Sequence, residues 1–278
     1  MITAGHDPAS SGWQGLAFVD DDGPKAMLAI SGSNQRTAWA RIASEMRWHQ
    51  PTMVGCEHPP TTMPKASGRQ GSQGLIGCRI GEARGRMMQL CQTIEPPITF
   101  TDAHVSKQRA TKTRAADKGW RARTVERTGL TRAQAVRAAS KAGGDTRPVR
   151  SRLATAEDCE GMQGIEAGRG VYVSVYSCGH ESDPWRYAKP APSYCGQCRA
   201  HQPADRAEEW ALWAVAVVRR IAPELLDRLV AERLESNSRL RDGRAEWRIP
   251  GVNDACVALL IAIDTHERRP ACIPGENR

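Results

Sequence analysis

ITAGHDPASSGWQGLAFVDDDG, residues Ile2 to Gly23, decides the fold. An apolar run, Ile2 to His6, ends on Asp7; Pro8, Gly12 and Gly15 turn the chain, and a second apolar run returns from Gly15 to Val19. Proline removes a ladder donor and glycine frees the backbone, so these residues close one strand and open the next. A third run, Ala26 to Ile30, follows another Asp and Gly turn, which predicts three consecutive antiparallel strands.

Working outward, PTMVGCEHPP (Pro51 to Pro60) gives a fourth strand, Met53 to Cys56, which closes on Glu57 before Pro59 and Pro60. Asn34 caps a helix over Gln35 to Arg47 that buries Ala38, Ile42, Ala43 and Met46. A longer helix is predicted over Gly74 to Gln92, then a fifth strand over Pro97 to Thr101. Asp254 opens the helical pattern GVNDACVALLIAIDTHERR, Gly251 to Arg269.

Asp7, Glu57 and Asp254 thus lie at the ends of elements that a sheet brings to a common point. Such carboxylates can share two divalent cations, which activate a water and stabilise the leaving oxygen of a phosphodiester. Hard oxygen ligands of this kind suit magnesium. Each acid also has a plain reading: Asp7 as a turn former, Glu57 as a strand-end surface acid, Asp254 as an acid favoured by the helix dipole.

A chain of 278 residues is long enough to bury a full core. Its net charge of +8 is uneven: Val105 to Arg152 holds 14 Lys or Arg against three acids, +11, which leaves −3 for the remainder. A basic segment on a slightly acidic body is the footprint of phosphate neutralisation, and Lys107, Arg109, Lys112, Arg114, Lys118, Arg121 and Arg123 are its candidate nucleic-acid contacts; a solvated basic linker is the plain reading. The pattern there is mostly helical, with a break at Gly129 and a new start capped by Thr131. The longest apolar stretches, Trp210 to Val218 and Ala255 to Ile263, are too short to span a bilayer, and the N-terminus lacks a signal-peptide pattern. A cytoplasmic protein without membrane contact is expected.

Nine cysteines, an odd number, fit reduced thiols and a metal better than a disulfide framework. Val171 to Tyr176 alternates like a strand and leads into SCGHESDPWRYAKPAPSYCGQCRAH, Ser177 to His201. Cys178, His180, Cys195 and Cys198 offer four ligands to one structural tetrahedral zinc, with His201 as the alternative to His180. Two helical patterns follow, Ala204 to Ile221 and Pro223 to Leu234; the first carries an apolar stripe of Trp210, Trp213, Val217 and Ile221 that suits a core or a dimer seam. Cys56, Cys78, Cys91 and Cys256 read as small core residues.

Within the ribonuclease H-like nuclease superfamily, GHDPASSGW resembles the first motif of RuvC-type Holliday junction resolvases, with Ala9 where Gly is usual. VGCEHPP resembles the second motif and NDACVALLIAIDTH the terminal helix, so the resemblance covers roughly residues 1 to 105 and 248 to 268. The fold it implies is α/β: a mixed five-stranded sheet flanked by helices, with a basic helical and zinc-ribbon insertion. The corresponding parts are a core at 1–104 and 248–278, a basic helical insertion at 105–170, a zinc module at 171–202 and a helical hairpin at 203–247.

The resemblance further implies that Asp7 bridges two Mg2+ (or Mn2+) ions while Glu57 and Asp254 each complete one shell. Water would then attack in line, leaving 5′-phosphate and 3′-hydroxyl ends. Branched DNA as substrate and a homodimer with two active sites come with it. One departure stands out: the family's second acid on the last helix is replaced by Val257, or Gly251 if counted backwards. Three carboxylates then make the site, as in the RuvC domains of transposon-encoded RNA-guided nucleases, with Asn253 or a nearby His as a weak fourth ligand. Asp264 lies about 15 Å further along the helix, too far to share the metal. His6 and His58 flank the acids. Two rival readings remain: a nuclease acting on flaps, forks or RNA–DNA hybrids, and a non-catalytic zinc-ribbon DNA-binding protein on a decayed nuclease scaffold.

Overall fold

The computed structural model describes residues 1–8, 12–58, 70–104, 119–142, 148–160, 164–168, 170–176, 181–186, 202–236 and 245–269. Five strands form one mixed sheet: β1 (Thr3–Asp7), β2 (Trp13–Asp20), β3 (Gly23–Ser31), β4 (Met53–His58) and β5 (Thr99–His104), in the order β3-β2-β1-β4-β5. β1, β2 and β3 pair antiparallel, as the turn residues between them require, whereas β4 and β5 join parallel to β1. Each parallel connection crosses through a helix, α1 (Gln35–His49) and α2 (Gln70–Thr93).

The two faces of the sheet follow the two-residue strand period. Ala4 on β1, Leu16 and Phe18 on β2 and Val54 on β4 point to one side, where Ala38, Ile42 and Met46 of α1 and Met87 and Cys91 of α2 close a core. Asn34 caps α1 as expected, accepting from the Thr37 backbone N–H at 3.2 Å. The fifth strand begins later than the sequence predicts. Ile98 donates its N–H to the Cys91 carbonyl at 2.9 Å and so still belongs to the end of α2, while the ladder starts at Thr99 and runs on to His104.

The other face is covered by α7 (Val252–Glu267), whose apolar residues from Ala255 to Ala262 are all buried. Glycines decide where it lies. A Cβ at Gly15 would collide with the Asp254 carbonyl, one at Gly5 with backbone atoms of Ala258 and Ala262, and one at Gly55 with the Thr265 side chain. Gly5 is the register partner of Gly55, and Gly15 pairs with Asp7. Three adjacent strands thus present bare backbone to the helix, which crosses from β2 at its N-terminus to β4 at its C-terminus.

The chain divides into two compact units: Met1–Leu130 with Ala214–Arg241 and Glu246–Arg278, and Thr131–Trp213 with Asp242–Ala245. The first unit contains α3 (Trp120–Thr128). α3 ends at Gly129, whose left-handed φ of 65° closes the helix where the sequence places a break.

The second unit carries α4 (Arg132–Ala142) and a three-stranded antiparallel sheet of β6 (Pro148–Leu153), β7 (Val171–Tyr176) and β8 (Trp185–Arg186). Ala154, Cys159, Val171 and Val173 pack together there. Arg152 grips Asp158 at 2.7 and 2.9 Å and also pairs with Glu181. α5 (Arg206–Ile221) contributes to both units, and α6 (Pro223–Glu235) lies in the first. No described helix is long and apolar enough to cross a membrane.

Candidate active site

Asp7 is the last residue of β1 and, two positions beyond Gly5, faces α7; it is 8 % exposed. Glu57 stands two positions beyond Gly55 on β4, one step past the registered pair His6 and Cys56, and so comes alongside Asp7 on the same face. Asp254 enters from above in the first turn of α7, its backbone pressed against Gly15, the partner of Asp7. Three acids separated along the chain therefore converge at the C-terminal ends of two parallel strands and the N-terminus of the last described helix, Asp7 and Glu57 in contact and Asp254 near enough for its charge to act on Asp7.

Their electrostatics record the crowding. Burial, and then the charges of Glu57 and Asp254, hold the Asp7 carboxyl well above the usual carboxylate range, and a hydrogen bond with Glu57 acts in the same direction. Burial pushes Asp254 up to about 6, with the charge of Glu57 adding to it against a backbone hydrogen bond. Two carboxylates in contact away from water share a proton because both cannot comfortably ionise.

α3 supplies the neighbours on the remaining side. Trp120, fully buried, donates its indole N–H to Glu57 Oε1 at 3.3 Å, and Arg121 Nη2 lies 3.8 Å from the same oxygen. Burial lowers the Arg121 pKa, while Glu57 and then Asp7 favour its charged form. Trp120 carries no sequence motif that marks it, and only a helix start after Gly119 hints at its place. Arg123, another candidate nucleic-acid contact, turns inward: its guanidinium holds Asp264 at 2.6 and 2.8 Å, with Asp264 1 % exposed. Asp264 is thus a structural anchor between α3 and α7.

His6 points to the opposite face of the sheet. Its Nε2 meets Gln14 Oε1 at 3.0 Å and its Nδ1 lies 3.5 Å from Cys56 Sγ; burial lowers its pKa to about 4, so it is a neutral core residue. Cys56, Cys91, Cys159 and Cys256 are free, buried thiols. The side chain of His58 lies outside the described residues, as do Lys107, Arg109, Lys112, Arg114, Lys118, the whole zinc set Cys178, His180, Cys195 and Cys198, and His201.

Among the described residues, no three His, Cys, Asp or Glu side chains stand close enough to grip one ion. Asp7 and Glu57 are joined directly, and Asp254 acts on Asp7 through its charge. The donor chemistry nevertheless suits a hard divalent cation: every group is an oxygen, and a shared proton is what such a cation would replace. Asn253, beside Asp254, adds an Oδ1 that is buried without a hydrogen-bond donor among the described residues.

No protein-family model matches the chain, and no curated protein matches it. Among solved structures, the chain is similar to T. thermophilus RuvC in complex with Holliday junction substrate, at 18% identity and a TM-score of 0.30. That similarity covers 37% of this chain and 64% of the RuvC chain, a little under two thirds of its length.

Proposed function

We propose that the chain is a magnesium-dependent endonuclease of the ribonuclease H-like kind that cuts branched DNA, four-way junctions in first place. The observation that carries this reading is the convergence of Asp7, which is buried, with the half-buried Glu57 and Asp254 at strand and helix ends, with burial and mutual charge raising the Asp7 and Asp254 pKa values. Carboxylates crowded together out of water destabilise a fold, and such sites are characteristically functional. Asp7 and Glu57 would hold the cation between them, with Asp254 and the Asn253 amide oxygen nearest at hand to complete its surroundings. Bound there, magnesium would polarise a phosphodiester and lower the pKa of an attacking water.

The chain's own residues set the rest. The α7 backbone on Gly15 fixes the height of Asp254 over Asp7. Trp120 orients one oxygen of Glu57 and closes that side to water. Val257, buried where the resembled family has its second acid, leaves the α7 side of the site with Asp254 as its carboxylate. In this reading the Cys178, His180, Cys195 and Cys198 zinc module and the basic residues from Lys107 to Lys118 choose the branch, and a homodimer would deliver paired nicks.

The test is cleavage of a labelled four-way junction beside a matched linear duplex, with magnesium or chelator, by the protein and by Asp7→Asn. Magnesium-dependent nicks on the junction alone, abolished in the variant, are the expected result. Binding without cleavage of junctions, flaps, forks or hybrids would replace the proposal with the non-catalytic zinc-ribbon reading.

A further inference from the structure

Arg121 acts on both members of the acid pair: its Nη2 lies 3.8 Å from Glu57 Oε1, and its charge also bears on Asp7. It is held there by its neighbour, because Trp120 is fully buried and donates to the same Glu57 oxygen. The Arg121 side chain is three-quarters shielded from water, being 25 % exposed. α3 is in turn pinned to α7 through Arg123 and Asp264, and again through Arg127 and Glu267 at 2.9 Å. A positive charge is therefore delivered to the acids by a helix anchored at several points, and not by a loose surface side chain.

We propose that Arg121 is a built-in counter-cation of the acid pair, which a divalent cation must displace from Glu57 and which then turns to a phosphate of the bound nucleic acid. This rests on the nuclease reading above and deepens it, by making cation binding and DNA binding depend on one another. Two like charges cannot occupy one desolvated carboxylate oxygen without strong repulsion, so the guanidinium and a magnesium ion compete for Glu57. Arginine is weakly hydrated and always charged, and its planar fork matches phosphate, so the displaced group has a natural partner only when DNA is present. Linkage then requires that DNA tighten cation binding by the same factor that the cation tightens DNA binding.

The experiment measures Mn2+ binding by calorimetry, with and without a non-cleavable phosphorothioate junction, for the protein, Arg121→Gln and Arg121→Lys. In the absence of DNA, Arg121→Gln should bind Mn2+ at least about fivefold more tightly, whereas Arg121→Lys, which keeps the charge, should stay near the parent. In the presence of the junction the parent should gain affinity for Mn2+ and Arg121→Gln should gain little, which removes the coupling. The indole of Trp120 reports on the same site, so its emission should change as Mn2+ displaces the guanidinium from Glu57. Circular dichroism confirms that each variant is folded.

If the parent binds Mn2+ and Arg121→Gln binds it equally or more weakly without DNA, the counter-cation role is overturned while the nuclease reading stands. If the parent shows no saturable Mn2+ binding with or without the junction, both fall together. Tighter binding by Arg121→Gln with the DNA coupling intact would overturn the transfer to phosphate.

Discussion

A carboxyl group whose pKa is raised by folding is most at ease when protonated, and Asp254 illustrates the consequence. Its folded value is about 6 against 3.8 for an unperturbed side chain. The stability it contributes is therefore fully present below pH 3.8 and is lost as pH rises through about 6, a change of up to about 3 kcal/mol if nothing compensates. In chelator, Asp254→Asn should be more stable than the parent at pH 8, and the difference should shrink as pH falls below 6. Urea titrations across that range, repeated with magnesium, check both halves, because the cation should restore the parent at pH 8 and do little for the variant. An unaltered pH profile in Asp254→Asn would show that the group is not strained. The sequence shows Asp254 in its helix but not its environment, since burial beside Glu57 arises from strands nearly 200 positions away. Trp120 was equally hidden, and Arg121, legible as a candidate phosphate contact, showed nothing in the sequence of its place beside Glu57.

Among the elements, α7 was the most legible, because an unbroken apolar run that begins on an acid and ends on Thr265 and His266 has few other uses. What the sequence could not show was its seat. Gly5, Gly15 and Gly55 look like strand interruptions until the helix is laid across them, when each marks a point of backbone contact. Gly15→Ala should therefore cost about 1–3 kcal/mol as an overpacked contact, and it should also lift Asp254 from Asp7 and reduce cleavage beyond what the stability loss explains. Gly81→Ala, on an open surface of α2 where an added methyl meets nothing, should instead stabilise by about 0.5–1 kcal/mol and leave cleavage unchanged. Thermal melts with parallel cleavage assays separate the two outcomes. The fifth strand was misjudged in its start for a related reason: Pro97 and Ile98 look strand-like, but Ile98 is spent on the end of α2.

For the molecule as a whole, the charge count along the sequence overstated what is available to a partner. Within the basic stretch, Arg123 is matched by Asp264, Arg127 by Glu267, Arg132 by Glu209 at 3.1 Å, and Arg152 by Asp158 and Glu181. Apart from Asp158, six positions from Arg152, these acids lie outside the stretch at longer range, so its own charge count does not reveal the neutralisation. If Lys107, Arg109, Lys112, Arg114 and Lys118 carry the phosphate contacts, replacing all five by Gln should flatten the slope of log affinity against log salt by about four. Arg123→Met should leave that slope alone and cost up to about 3–5 kcal/mol of stability, because it leaves the buried Asp264 with the looser 3.9 Å pairing to Arg127 in place of two short bonds. Filter binding across a salt series, with urea denaturation of each variant, tests the division; a flattened slope in Arg123→Met would refute it.

The placement of Asp254 on the last described helix also has a consequence in time. During synthesis, β1 and β4 emerge early and bring Asp7 and Glu57 side by side, but at about 5–20 residues per second α7 follows only after roughly 10–40 s. Until then the face of the sheet that bears Gly5, Gly15 and Gly55 is uncovered and lacks its third acid. If the proposed cleavage needs all three acids, a ribosome that stalls anywhere in that interval would release an inert fragment, so cutting power would be withheld from incomplete chains by the order of the elements alone.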